Sequence, residues 1–265
     1  MKKKWHCYLI RVQYLGFRYH GWQRQPGVKT IQSMLEKTIR FVLQREDFKI
    51  LGASRTDAMV SANSACFELF AREEIELDPF FQGMKSNLPH DIDILSAKPI
   101  SDKFNIIQDS SEKEYVYLFS YGNKNNAFAA PFMTYKLANL NIEKMKEAAI
   151  LFEGNHDFRR YCIKPSEETV FSRTINHCRI EVNTLLTANF FPEKSYMLRI
   201  KGRGFLRNQV RLIMGALFEV GLGNLSLEEI KDSLSSKEIS PICHVAPASG
   251  LMLNKIDFDN LNNDY

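Results

Sequence analysis

Tyr115-Val116-Tyr117-Leu118-Phe119-Ser120-Tyr121 alternates its side chains with the two-residue period of a β-strand, and it is the second such opening in the chain. His6-Cys7-Tyr8-Leu9-Ile10-Arg11-Val12-Gln13-Tyr14 opens the first half the same way. The segments beyond the two openings are alike. After a glycine-rich loop, Ile31, Leu35, Thr38, Ile39, Val42 and Leu43 mark one helical face, and 48–53 and 64–70 read as strands. A short helix is expected with Asp78 as its N-cap and Pro79 at its first position, and 92–97 is expected to close the half as a strand. The polar stretch Gln108 to Lys113 is the expected boundary. Beyond it, Ile142, Met145, Ala149 and Phe152 predict a helix ended by Gly154, and 175–182 and 196–201 predict strands. Leu206, Val210, Ile213, Leu217 and Val220 step by four and three along a helix that Gly221 is expected to stop. Ser226 and Glu229 have capping-box spacing, and 251–258 is the last expected strand. The order β-α-β-β-α-β therefore occurs twice, with one helix added to the second copy. It predicts an α+β, two-layer fold of two tandem ferredoxin-like (RRM-like) units, residues 1–107 and 112–265, with a cleft between them.

Composition narrows the function classes. Of 265 residues, 45% are hydrophobic and 25% charged, which fits a globular protein and excludes disorder as the main description. No apolar run approaches the ~20 residues of a membrane-spanning helix. Lys2, Lys3 and Lys4 are followed by strand-like alternation rather than a hydrophobic signal core, so a cytoplasmic location and no membrane association are expected. Five dispersed cysteines and six scattered histidines show no metal-ligand spacing, so reduced thiols and no metal are expected. A net charge of +4 permits nucleic-acid binding without requiring it. Placement says more: Arg11, Arg18, Arg24 and Lys29 gather early, and Lys201, Arg203, Arg207 and Arg211 gather late, both among glycines and aromatics. Two such clusters point to a shared anionic partner.

Three stretches can carry chemistry. Ser54-Arg55-Thr56-Asp57-Ala58 comes directly after an expected strand. A cation beside a carboxylate favours its charged form, and an ionised, partly dehydrated carboxylate can act as nucleophile or base. Three residues alone fit an aspartate that merely caps a turn better. In Tyr14-Leu15-Gly16-Phe17-Arg18-Tyr19-His20-Gly21-Trp22-Gln23-Arg24-Gln25, aromatics and arginines interleave with little helical or strand period. Such a loop can stack bases and hold phosphates, and Trp22 and Arg24 are expected to bind RNA rather than pack on the domain. In Gly202-Arg203-Gly204-Phe205-Leu206-Arg207-Asn208-Gln209-Val210-Arg211, the last two arginines share one helical face, and helix N-termini favour anions.

Together these stretches resemble the tRNA pseudouridine synthases of the TruA family, whose hallmark is Arg-Thr-Asp-Ala, here Arg55-Thr56-Asp57-Ala58. Gly21-Trp22-Gln23-Arg24-Gln25, Leu88-Pro89-His90-Asp91-Ile92, Tyr115-Val116-Tyr117, Gly154-Asn155-His156-Asp157-Phe158, Ser172-Arg173-Thr174, Val210-Arg211 and Ala246-Pro247 stand in the family's order. The resemblance implies the tandem fold, a homodimer, no cofactor, and a tRNA substrate modified on the 3′ side of its anticodon stem-loop. It makes Asp57 the catalytic aspartate, Tyr115 the active-site tyrosine and Arg211 the arginine that pairs with Asp57. Arg55, in the same motif, is expected to help shape the site, and Arg24, Arg203 and Arg207 of the basic clusters are expected to contact RNA.

The chain departs from the family at two places. Ala-Gly-Val-His-Ala stands here as Ala58-Met59-Val60-Ser61-Ala62, and Phe-His-Ala-Arg stands as Phe104-Asn105-Ile106-Ile107. If the glycine position needs positive φ, Met59 disfavours it, and a reshaped loop is expected. An RNA contact from the usual histidine is lost at Ser61. Two other readings of the sequence remain open at this point: a non-catalytic RNA-binding protein on the same scaffold, and a synthase acting on another RNA or position.

Overall fold

The computed structural model describes residues 5–259 and 261, so the first lysines, Lys2 to Lys4, lie outside the described residues. Two compact units divide the chain, one running to Ser111 and rejoined by the segment from Leu253, the other Glu112–Met252. The last strand is therefore split: Leu251 and Met252 group with the second unit, and the residues from Leu253 group with the first.

The first unit is built from β1 (His6–Tyr14), α1 (Ile31–Leu43), β2 (Phe48–Gly52), β3 (Ser61–Ala71), α2 (Leu77–Asn87) and β4 (Ile92–Ile100). β1 pairs antiparallel with both β3 and β4, and β2 pairs antiparallel with β3. The strand order β4-β1-β3-β2, with α1 and α2 as crossovers, is that of the split βαβ unit. α1 begins as its sequence asks. Thr30 caps it through Ser33, whose hydroxyl answers to the Thr30 backbone, and Ile31, Leu35 and Ile39 turn inward. α2 differs from expectation. Its N-cap is Glu76, which makes no side-chain cap, and Asp78 and Pro79 lie inside the first turn. A proline is tolerated there because the first-turn N–H groups lack helical partners in any case.

The second unit contains β5 (Ser110–Tyr121, from Glu112), β6 (Thr134–Lys136), α3 (Ile142–Ile150), β7 (Gly154–Asp157), β8 (Ser172–Val182), β9 (Tyr196–Gly202), α4 (Gln209–Leu222) and α5 (Leu227–Ser233). β10 (Leu251–Phe258) comes last. The strand order of the unit is β5-β9-β8-β7, with β6 parallel on β5. α4 is apolar on nearly all sides and almost wholly buried, as a central helix must be. Gly223, at φ +80°, ends it. Gly221 is instead a packing glycine inside the helix: a Cβ there would stand 2.6 Å from the Met145 sulfur. Gly154 likewise does not cap α3, which stops at Ile150, but opens β7 at φ +103°. Ser226 and Glu229 form the capping box of α5 with both reciprocal bonds.

Candidate active site

Asp57 sits on the turn between β2 and β3, and that turn is interlocked with the loop after β1. Trp22 N–H donates to Thr56 O at 3.0 Å, and Met59 N–H donates to Tyr19 O at 3.0 Å. The Tyr14 and Thr56 hydroxyls share a buried hydrogen bond of 2.9 Å, and Gly16 N–H donates to the Ser61 hydroxyl at 2.9 Å. Two glycines make the approach possible. A Cβ on Gly16 would lie 2.0 Å from Val60 O, and one on Gly21, which is at φ +87°, would lie 2.7 Å from Thr56 O. The same loop satisfies the start of α1, because the Gly21 and Trp22 carbonyls accept from Ile31 and Gln32 N–H. Asp91 anchors its outer side. The carboxylate receives Arg18 through two nitrogens, at 2.9 and 2.7 Å, and the Tyr19 hydroxyl at 2.7 Å. Burial first, and then the Asp91 carboxylate, push the Tyr19 phenol well above its ordinary range, so it remains a donor.

This geometry corrects the reading of Trp22. The indole is only 2% exposed and lies between Tyr14 and Phe67, over the bare backbone of Gly52. It is a core residue that fixes the loop and has no face open to a base. Arg11 is buried too, donating to the Ser64 hydroxyl and Ile256 O, and leaves the early basic surface. Arg24 remains on the surface, ion-paired with Glu36 at 3.0 Å, and Arg55 is exposed beside the turn. Asp57 itself is half-buried.

Met59 corrects the reading in the other direction. The turn keeps the left-handed backbone, with Met59 at φ +66°. The neighbours leave no alternative: Met59 N–H is held by Tyr19 O, Val60 N–H donates to Asp57 O, and Val60 is buried. Ser61, where the resemblance expects histidine, points inward to Gly16 N–H.

In the second unit, Tyr115 is nearly buried on β5, with its ring edge-on to Phe205 at 5.3 Å. Arg211 lies in the first turn of α4, where its Nε donates to Ala246 O at 2.8 Å and its own carbonyl accepts from Ala246 N–H. Pro247 O accepts the Tyr117 hydroxyl at 2.7 Å, and Gly215 lets the segment at His244 run against the helix. Burial drives the Tyr117 phenol upward, while the Arg211 charge pulls it back. Tyr117, Arg211 and the Ala246-Pro247 segment are thus one knot, and in the sequence Tyr117 is only one more residue of an alternating strand. Arg203 and Arg207 are exposed, but both precede α4, which begins at Gln209 behind a left-handed Asn208. Lys201 belongs to a different structure: with Arg199 it neutralises the buried Glu114. Among the described residues, no three of His, Cys, Asp and Glu gather as a metal-binding group, and no helix is long and apolar enough to cross a membrane.

The turn that carries Asp57 and the knot around Arg211 fall within a family profile described as tRNA pseudouridine synthase, which matches residues 10–107 and 148–259. A tRNA pseudouridine synthase A 2 of Bacillus cereus is 34% identical over 255 residues, covering 96% of this chain and 100% of that protein. The chain belongs to the tRNA pseudouridine synthase family. Other members are similarly close. A tRNA pseudouridine synthase A of a Thermoanaerobacter species is 35% identical, over 94% of this chain and 98% of its own length. One of Clostridium kluyveri is 33% identical, over 92% and 96%.

Proposed function

We infer that this tRNA pseudouridine synthase family member isomerises uridine to pseudouridine in the anticodon stem-loop of tRNA, with Asp57 as its catalytic carboxylate. The observation that carries the reading is the construction of the Asp57 turn. Two buried hydrogen bonds involving hydroxyls, two glycine contacts and a buried tryptophan fix the turn that carries this half-buried carboxylate. Holding a reacting group in a fixed geometry is what a preorganised site requires. The reaction breaks the bond from C1′ to N1 of uridine, turns the base and rejoins it through C5. Asp57 assists as nucleophile at C1′ or as base at C2′. We assign to Tyr115 the face on which the base rests and the neighbourhood of the C5 proton, and count Arg211 among the catalytic residues. Arg24, Arg55, Arg203 and Arg207 are assigned to RNA. The target base must leave its stack, at a cost of a few kcal/mol, which such contacts offset.

We further propose that the protein works as a cytoplasmic homodimer. None of its five cysteines is joined in a disulfide, which suits a reducing compartment. The second unit carries Phe128, at 75% exposure, against Phe190, which packs in turn with Phe132 and Phe191, and neither 125–135 nor 182–192 contains a charged residue. Such a patch suits an apolar, self-complementary contact and suits a polyanion poorly. The test of the enzymatic reading is to incubate the protein with unmodified tRNA transcripts and map pseudouridine by nucleotide. Formation confined to the anticodon stem-loop is expected; no pseudouridine in any tRNA would refute it.

A further inference from the structure

We propose that Met59 is an RNA-contacting residue of this enzyme, packing its thioether against a nucleobase next to the target uridine. The proposal rests on the reading of Asp57 as the catalytic carboxylate, and it concerns a residue to which that reading assigns nothing. A side chain at positive φ is strained wherever it has a Cβ, and methionine has no polar group to compensate as asparagine does. Met59 is held there at φ +66° by the bonds of its own turn. Packing does not repay the strain, because the residue is 37% exposed. Glycine would give the same turn without strain, so the side chain does something that stability does not ask of it. Strain of this kind collects where structure serves a ligand.

The surroundings say which ligand. Met59 lies two residues beyond Asp57, on a turn bonded through Tyr19 to the loop that carries Phe17 and Arg18. Phe17 is another exposed large apolar residue, and Arg55 is an exposed cation, whereas Arg18 is held by Asp91. Exposed apolar side chains with a guanidinium group in the same turn suit bases and their phosphates. A flexible, polarizable thioether makes favourable contact with aromatic rings and can stand against a base whose neighbour has left the stack.

Two substitutions separate the side chain from the backbone. Met59→Ala removes the thioether and keeps the strained φ; Met59→Gly removes both. Each is to be made in the active protein and on the Asp57→Asn background, with an anticodon stem-loop RNA as the probe. In the active protein we expect both variants to raise KM roughly two- to tenfold, the range of a sulfur–ring contact, with kcat changed less. On the Asp57→Asn background both should weaken RNA binding by the same factor. Only Met59→Gly should raise Tm, by about 2–4 °C. A Met59→Gly protein that gains Tm and keeps wild-type KM and affinity would overturn the proposal. So would an Ala variant with unchanged kinetics and affinity, or a KM rise confined to Gly, which would place the effect in the backbone. Because affinity is read without turnover, the Met59 contact stands or falls separately from the assignment of Asp57.

Discussion

Glu68 is the group whose pH behaviour the structure defines best. It lies on β3, opposite Leu9 and Leu51, and is 1% exposed. Ile106 N–H donates to it, but its Oε1 has no hydrogen-bond partner among the described residues. Burial pushes the carboxyl up from 4.5 to about 7; the Ile106 N–H and the Lys49 charge pull back, and Asp109 adds to the rise. Its folded value therefore lies above its unfolded value. Below about pH 4.5 both states hold the proton and Glu68 imposes no penalty. As pH rises, the unfolded chain ionises first, and stability is lost until the folded carboxyl ionises near pH 7. That displacement corresponds to at most about 3 kcal/mol. Glu68→Gln keeps the shape and the acceptor for Ile106 and has no proton to lose. Denaturant unfolding of both proteins at a series of pH values from 4.5 to 8.5 is the assay. Wild type should weaken relative to Glu68→Gln across that window by about 2–3 kcal/mol and level off above it. Parallel stability profiles would refute the argument and show that Glu68 is solvated or paired in solution.

Other consequences are equally direct. Trp22→Ala should lose about 3–5 kcal/mol of stability, as a large core truncation does, read as a lower midpoint in denaturant. Tyr115→Phe should retain RNA affinity, and its kcat in single-turnover experiments will report whether the hydroxyl takes part in the chemistry; wild-type activity would exclude it as an essential acid or base. RNA binding should weaken with salt, and replacing Arg203 and Arg207 together by alanine should make the slope of log affinity against log salt shallower by about one to two. Lys201→Ala should change that slope less, since Lys201 is already paired with Glu114 at 3.0 Å.

The elements whose periodicity comes from burial were legible in the sequence. β1, α1 and β10 fall on the residues that alternation and helical stepping select, and the Arg-Thr-Asp turn falls between β2 and β3. Features set by contacts distant in sequence were not. Trp22 looks exposed because Gln23 and Arg24 come after it, yet the isolated Gly52 in a strand is the matching signal of a close approach. The start of α4 is not where the stepping puts it, because Leu206 continues the apolar pattern whereas a left-handed Asn208 delays the helix to Gln209. β6 and β7 are three and four residues long, mostly polar, and exist through the ladders their partners offer. At Met59 the propensity rule predicts a reshaped turn, and the hydrogen bonds to Tyr19 and Asp57 prevail. Local preference of about 1 kcal/mol yields to several tertiary contacts acting together.

In the proposed reaction a carboxylate on this interlocked turn performs the isomerisation while other groups hold the RNA. One comparison tests it most directly: pseudouridine formed in an anticodon stem-loop RNA by wild type and by Asp57→Asn, with the RNA affinity of each measured alongside. Asp57→Asn should give no product above background and bind the RNA within a few fold of wild type. Turnover retained by the purified variant would contradict it.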